Sequence, residues 1–523
     1  MYQNSIRMFK LFFSILLLVV LSCPLFSQNA RLLDLDNERA YRLIELIKER
    51  GHLQNLNPVK LPYAVQQVNN GLDDISTDEL SELEREWVNQ LKEEVAFSEE
   101  ELAKEYLIEP YLLNATEINN TDRKNVYRPR NNELFVWPFG EVGSFGDFGN
   151  FTLKANVHFD LYYEFGLDGI DPTNRLYIRN ENAYVGYKSK YFSSYLGRIE
   201  SSWGQFNRNS TFLTPNALPF DQFQYTVGTN KISFNSLNGI LDNVDADGTY
   251  DGHTLGDRSN SKRRYLSLKS IDWKVNEHLF LSFKEGILYS GENVNMDARY
   301  MVPSFLFFFL EAATPRDQTE NLFIGGSIWY NYNNITLYFD AMLDDLITNR
   351  KERGVSEKNN FGIVANASYS FINKPIKLNL DSELFTYQVY NTDQADGRYL
   401  YLGRGIASQY NDYIFSELKL DYFMENILKG LTLSPYFGIL KQGEQVINQE
   451  FQSEYPNGRG YEYVLTGTVE TTRRTGLEVY YSPVRFFRLK SDLGYNFVSN
   501  KNNVENASES RFSSMFEISF IFR

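Results

Sequence analysis

This 523-residue chain has one cysteine, Cys23, and four histidines. Beyond the N-terminus it also lacks any apolar run of the ~18–20 residues that a membrane-spanning helix requires. Each shortage excludes something. Cys23 lies in a leader-like stretch, so a chain trimmed there carries no cysteine, and disulfides and thiol chemistry drop out. Lys and Arg total 52 against 67 Asp and Glu, a net charge of −15, and no block of basic residues occurs. Phosphate backbones need a basic face, so nucleic acid is excluded as a partner. His52, His158, His253 and His278 fall in no HExxH pattern, and no GxSxG is present, so no catalytic signature is visible. His158 reads as a polar lining residue.

What the chain has is aromatics: 40 Phe and 36 Tyr, with 15% of residues aromatic and only 23% charged. Mean hydropathy is −0.41 all the same. A polar lumen diluting an apolar outer band, with aromatic girdles at both rims, gives this combination in a transmembrane β-barrel. The strand patterns agree. In FTLKANVHFDLYYEF (151–165) the odd positions from Phe151 to Phe165 are apolar or aromatic, while Thr152, Lys154, Asn156, His158, Asp160 and Glu164 oppose them. Alternate side chains face opposite ways on a strand, so one wall is oily and the other wet. FGIVANASYSF (361–371) and FRLKSDLGYNF (487–497) repeat the pattern, and NLFIGGSIWYNYNNITLYFDAM (321–342) reads as two strands turning at Asn333–Asn334. The terminal RFSSMFEISFIFR (511–523) puts Phe512, Phe516, Ile518, Phe520 and Phe522 on one face, resembling the closing strand read by barrel-insertion machinery; Arg523 follows the aromatic where the usual pattern ends on it. FLFFFL (305–310) is too short to span as a helix and reads as strand or inward-folded wall. The fold class expected is a mainly β, transmembrane antiparallel β-barrel of about 16–18 strands with a small N-terminal periplasmic α-helical domain.

The expected organisation is a signal peptide over 1–27, a helical domain over 28–112, a linker over 113–132 and the barrel over 133–523. Arg7 and Lys10 flank the apolar LFFSILLLVVL (11–21), with an exit after Ser27. Cys23 in VLSC weakly resembles a lipoprotein box, which Leu21 and Pro24 oppose. Leu35, Tyr41, Ile44 and Ile47 keep helical spacing up to Gly51. LPYAVQQVNNGL (61–72) predicts a short helix, and Ser76 and Glu79 have capping-box spacing ahead of Leu83, Trp87 and Leu91.

Two stretches could carry chemistry. Residues 195–223 combine Arg198, Trp203, Asn207, Arg208 and Asn216, and aromatic faces beside amides and guanidinium groups suit sugar rings and hydroxyls. The same residues would equally serve an inward-folded loop that braces the wall. In NVDADGTYDGHT (243–254), Asn243, Asp245, Asp247, Thr249 and Asp251 have the spacing of a calcium loop, but Thr254 stands where a bidentate Glu belongs, so Ca²⁺ and a plain solvated loop both stay open.

GRIESSWGQFNRN (197–209), PNALPF (215–220), LFLSFKEGILYSG (279–291), YMVPSFLFFFLE (300–311), NLFIGGSIWY (321–330) with DAMLDD (340–345), and LPYAVQQV (61–68) together resemble the capsule assembly Wzi family of outer-membrane proteins. The resemblance implies a barrel of about eighteen strands with a periplasmic helical bundle, in the outer membrane of a Gram-negative bacterium. It implies a non-enzymatic, lectin-like role in assembling or attaching surface or capsular polysaccharide. Outer-membrane lipid and polysaccharide are then the expected partners, with periplasmic or outer-membrane proteins reached through the helical domain. A porin or transport channel is the alternative, for which that domain is an unexplained extra.

Overall fold

The computed structural model describes residues 30–522 except 77, 79, 96–105, 122, 124, 128–133, 165–177, 245–261, 303–305, 308–318, 345–359, 372–373, 426, 451 and 453–461. The signal peptide and Cys23 lie outside the described residues. Among the described residues no helix is long and apolar enough to cross a membrane; the chain crosses with strands.

Three helices come first: α1 (Glu38–Glu49), α2 (Val65–Asp73) and α3 (Glu82–Val95). The strands follow as β1 (Leu107–Asn119), β2 (Phe135–Phe148), β3 (Phe151–Asp160), β4 (Tyr184–Lys188), β5 (Phe192–Arg198) and β6 (Asp221–Gly228). Then come β7 (Ile232–Ile240), β8 (Arg263–Lys274), β9 (Leu279–Gly291), β10 (Thr319–Tyr332), β11 (Ile335–Asp344) and β12 (Asn360–Ser370). The last six are β13 (Ile376–Phe385), β14 (Tyr413–Phe423), β15 (Leu431–Gln442), β16 (Glu470–Val484), β17 (Phe487–Ser499) and β18 (Ser508–Phe522). Each pairs antiparallel with its neighbours, and β1 pairs with β18 from Leu112–Phe522 to Asn119–Met515. The 18 strands therefore close into a barrel with no free edge.

The period-2 pattern sets which wall faces lipid. Along β3, Phe151, Leu153, Val157 and Phe159 are exposed on the outside, while Thr152, Lys154, Asn156 and Asp160 are buried inside. The strand stops at Asp160, so Leu161–Glu164 is a 3-10 turn rather than the continuation that the alternation predicts. Asn333 (φ 50°) and Asn334 (φ 64°) make the β10–β11 turn, both in the left-handed region that a two-residue hairpin requires. The tight turns gather at one rim with exposed Phe148, Phe151, Tyr191, Tyr332 and Phe486, and the long connections gather at the other. In outer-membrane barrels the short-turn rim faces the periplasm.

Two boundaries differ from the sequence expectation. The helical part ends at Val95, and the segment divided between helical domain and linker is β1, so the barrel starts at Leu107 rather than 133. Tyr111, Leu113, Ala115 and Glu117 alternate as well as any strand, but Pro110 and the polar run after it masked the pattern. The reciprocal box at the start of α3 is formed by Ser81 and Glu84 (Ser81 N to Glu84 Oε2 2.9 Å, Glu84 N to Ser81 Oγ 3.3 Å), whereas the sequence pointed to Ser76 and to Glu79, which lies outside the described residues.

The helices do not hang below the barrel but fill its periplasmic half. Tyr41, Ile44, Ile47, Val68, Leu72, Trp87 and Leu91 form their common core. Around the circumference, carboxylates and cations on the plug meet the opposite sign on the inner wall. Arg31 meets Glu109 (2.6 Å) and Asp147 (2.7 Å), Lys154 meets Asp34 (2.9 Å), Lys377 meets Glu49 (2.8 Å) and Lys490 meets Glu38 (2.6 Å). Such pairs cost desolvation, and their value is to fix the plug's seating.

One plug group is set up to weaken this seating as pH rises. Burial raises the Glu45 carboxyl to about 7, although Lys377 and Arg208 oppose it. The folded pKa lies above the unfolded one, so Glu45 adds stability below about pH 4.5 that is lost as pH climbs through 7. Glu45→Gln should therefore raise stability at pH 8 by on the order of 2 kcal/mol and change little at pH 4. Denaturant midpoints of the detergent-folded protein at the two pH values give the check; equal shifts at both would remove the titration as the cause.

Among the described residues the outer wall departs from the lipid-facing pattern in one strip. Lys284 points inward, so its neighbour Glu285 points outward, as do Lys269, Ser267, Asn238 and Ser236, and all are buried. Tyr300 and Phe307 cover this strip: the Phe307 amide donates to Glu285 (3.3 Å), and the Lys269 ammonium lies 3.7 Å from the Phe307 ring centre. Phe307 is thus a cover over the wall's outer face, where the sequence suggested strand or inward-folded wall for 305–310.

Candidate functional site

The connection between β5 and β6, residues 199–220, turns into the lumen. It joins the plug through paired backbone bonds between Ser202 and Leu61 (2.8 and 3.1 Å). It joins the wall through Asp340, which accepts from Ser210 Oγ (2.8 Å), the Thr211 amide (2.9 Å), Ser327 Oγ (3.0 Å) and Lys284 Nζ (3.1 Å). A second inward segment, 386–412, packs on it: Tyr390 donates to Thr211 O (2.7 Å), Tyr399 to Phe212 O (2.7 Å) and Thr214 Oγ1 to Ala407 O (2.6 Å). Trp203, Phe212, Leu218, Tyr390 and Ile406 close together as an apolar core inside the barrel. The lumen is packed here as a protein interior.

On the other side of that core a cavity of about 650 Å³ remains, within the range of small-ligand sites. The plug contributes Leu35, Asp36 and Glu38, the inward loop Gln205 to Asn209 and Thr214 to Pro219, and the wall His158, Asp381, Glu383, Glu417, Lys419, Arg488, Lys490 and Glu517. Most of its charges are already paired. Arg208 meets Asp381 (2.6 Å), Lys419 meets Glu417 (3.1 Å) and Glu478 (2.6 Å), Arg488 meets Glu517 (2.9 Å), and Arg123 meets Glu117 (2.7 Å) and Asp160. His158 stands 3.4 Å from Glu141 and 3.8 Å from Asp160. Burial by itself would raise the Glu38 carboxyl, but Lys490, Arg42 and Arg488 outweigh it and hold it well below the usual carboxylate range. The Asn209 amide is spent on both oxygens of Glu383 (2.8 Å each).

Two amides are not spent. Gln205 Oε1 is buried against the cavity with no hydrogen-bond partner among the described residues. Asn207 is exposed to the cavity in a left-handed conformation (φ 52°), and its side chain makes no hydrogen bond among the described residues. A wall of paired charges with unsatisfied amides suits a neutral, hydroxyl-rich ligand, because hydroxyls both donate and accept. Among the described residues no group of three or more His, Cys, Asp or Glu side chains is placed to hold a metal ion.

The five residues suggested for glycan binding divide. Asn207, Arg208 and Asn216 line the cavity; Asn216 also donates to Gly405 O (2.7 Å) and Gln409 (3.1 Å). Arg198 sits apart at the top of β5, paired with Asp221 (2.7 Å) and reaching Asn180 O (3.1 Å). Trp203 is only 1% exposed and offers no face to a ring; it braces the loop. Of the suggested calcium ligands Asn243 is described and exposed, whereas Asp245, Asp247, Thr249 and Asp251 lie outside the described residues. Sequence reasoning missed Gln205, Asp381, Glu383 and Glu417. Lys490 and Glu517 stood in polar rows recognised as such, but a row of alternating residues does not say which rows meet at one height.

The capsule assembly protein Wzi family matches residues 78–404. The chain belongs to that family. Among solved structures, the Escherichia coli outer-membrane protein Wzi, described as a carbohydrate-binding β-barrel involved in group 1 capsule assembly, superposes with a TM-score of 0.60 at 11% identity, covering 91% of this chain and 98% of that one. At that identity the likeness speaks for the fold. Pseudomonas aeruginosa OprD (TM-score 0.45, 11% identity, 81% of this chain and 98% of that one) and OpdQ (0.44, 9%, 81% and 99%) are more distant. No curated protein matches the sequence. The family match begins between α2 and α3 and ends inside the second inward segment, so it takes in the 199–220 loop and the cavity residues Asp381 and Glu383, while Glu38, Glu417, Lys490 and Glu517 lie outside it.

Proposed function

We propose that this protein retains or organises polysaccharide at the surface of a Gram-negative outer membrane by holding a glycan segment in the lumen cavity, without breaking bonds in it. The observation that carries this reading is the 650 Å³ cavity with its paired charges and the two unspent amides of Gln205 and Asn207. Family membership and the carbohydrate-binding description of the Escherichia coli relative support it. The plug and two inward segments occupy much of the lumen, which disfavours the porin alternative. Exposed Asp73, Asp74, Asp78 and Glu82 on the plug's periplasmic side would be the surface offered to protein partners. The Asp-rich 243–254 loop would offer carboxylate oxygens to Ca²⁺, which calcium titration of the purified protein tests.

The deciding experiment compares cell-bound and shed polysaccharide with and without this chain; unchanged attachment would refute the role. At the level of residues, Asn207→Gly keeps the backbone conformation and Gln205→Ala removes a buried acceptor. Each should weaken binding of the purified protein to its own strain's polysaccharide by about five- to thirtyfold, the weight of one or two hydrogen bonds. Undiminished binding by both variants would move the site elsewhere.

A further inference from the structure

A second cavity, about 160 Å³, opens at the periplasmic rim between the plug and the wall of β4–β8. Lys60 from the plug, Lys188 at the end of β4 and Lys190 in the turn after it all line it. Lys188 lies on the inward row of β4, whose neighbour Val185 faces lipid. Lys60 Nζ donates to Asn235 Oδ1 (2.6 Å) and Thr226 Oγ1 (3.1 Å) and keeps part of its donor capacity. Among the described residues Lys188 makes no ion pair, and the Lys190 ammonium rests 5.1 Å from the centre of the Tyr191 ring. Asp272, the carboxylate lining this cleft, already accepts from Asn57 (2.6 Å), Asn235 (2.8 Å) and Ser282 (2.6 Å).

This contrasts with the other plug–wall contacts, where Lys154, Lys377 and Lys490 each meet a carboxylate. Lys60 and Lys188 share the cleft with one engaged carboxylate while Lys190 stands exposed at its mouth, and like charges repel more strongly where water is scarce. Burial pulls the Lys60 ammonium down to about 8; Asp272 opposes this and the charge of Lys188 adds to it. A bound anion would relieve that repulsion, and Lys188 has donors to give it. Asn55 and Asn230 on the same rim add polar lining for oxygen atoms.

We propose that this cleft binds an oxyanion, a carboxylate or phosphate group, presented from the periplasmic side and held between Lys60, Lys188 and Lys190. Its lining shares only Leu61 with that of the large cavity, and the proposal stands independently of the glycan reading there. The two oxyanions differ in source: a carboxylate points to an acidic sugar, a phosphate to a lipid headgroup or free phosphate.

The test uses the full mature protein in detergent micelles, with lysines acylated by a limiting amine-reactive ester and read site by site by mass spectrometry. Ionic strength is held constant with sodium chloride, inorganic phosphate or galacturonate, and neutral galactose is the control. Phosphate or galacturonate should slow acylation of Lys188 and Lys190 at least about threefold relative to chloride, as a ligand at about twice its Kd or above does to the groups it covers. Slowing by phosphate alone assigns a phosphate, and by galacturonate alone a sugar carboxylate. Lys188→Gln should abolish the protection of Lys190, while Lys231→Gln on the neighbouring turn leaves it intact. Equal acylation rates in phosphate, galacturonate and chloride, or protection by galactose to the same degree, would overturn the proposal.

Discussion

Truncating Trp203 to alanine will destabilise the protein by about 3–5 kcal/mol, as expected when a large, fully enclosed aromatic is removed. The side chain is 1% exposed and packs within the core formed by Phe212, Leu218, Tyr390 and Ile406, so the surroundings cannot simply close over the void. The loss will appear as a lower denaturant midpoint and as faster proteolysis of the 199–220 and 386–412 segments, which lean on this ring. Polysaccharide binding should fall only in proportion to the fraction unfolded. A Trp203→Ala protein of wild-type stability that no longer bound glycan would restore the stacking role that the sequence suggested.

Replacing Asp340 by alanine will cost a similar amount, about 3–5 kcal/mol, for an electrostatic reason. Its two oxygens take four donors and neutralise Lys284, and both residues are almost wholly buried. With the carboxylate gone, the Lys284 ammonium keeps the Trp203 carbonyl (2.7 Å) as its one hydrogen-bond acceptor and no countercharge, and the Ser210 hydroxyl and Thr211 amide lose their shared anchor. The double change Asp340→Leu with Lys284→Met should recover a substantial part of the loss, because it removes the buried charge instead of orphaning it. If the double variant were as unstable as Asp340→Ala, packing rather than charge would be the cause.

Much of the barrel is legible in the order of the residues. Lys490 and Glu517 belong to the wet wall and Phe497 and Phe520 to the oily one, because a strand alternates its faces at every step. Asn333–Asn334 marks a hairpin for an equally local reason. Where local signals conflict, the pattern misleads. Pro110 hides β1, and the capping spacing of Ser76 and Glu79 draws attention away from the Ser81–Glu84 box that starts α3. The 199–220 segment reads as irregular and polar, with bracing and binding both open. The structure buries Trp203 in the packed core and places Asn207, Arg208 and Asn216 along the cavity.

The sequence alone determined the strand periodicity, the lipid-facing and lumen-facing rows, the helical character of the N-terminal segment and the resemblance to a capsule-assembly family, since each rests on residues near one another along the chain. Only the tertiary structure decided that the helices sit inside the barrel, that two long connections fold inward to pack a core there, and which polar residues share the remaining cavity. Gln205 and Glu383 are 178 positions apart, and no local pattern brings them to one wall. Closure of the sheet and burial of apolar surface within it do that, because they depend on residues brought together from the whole length of the chain.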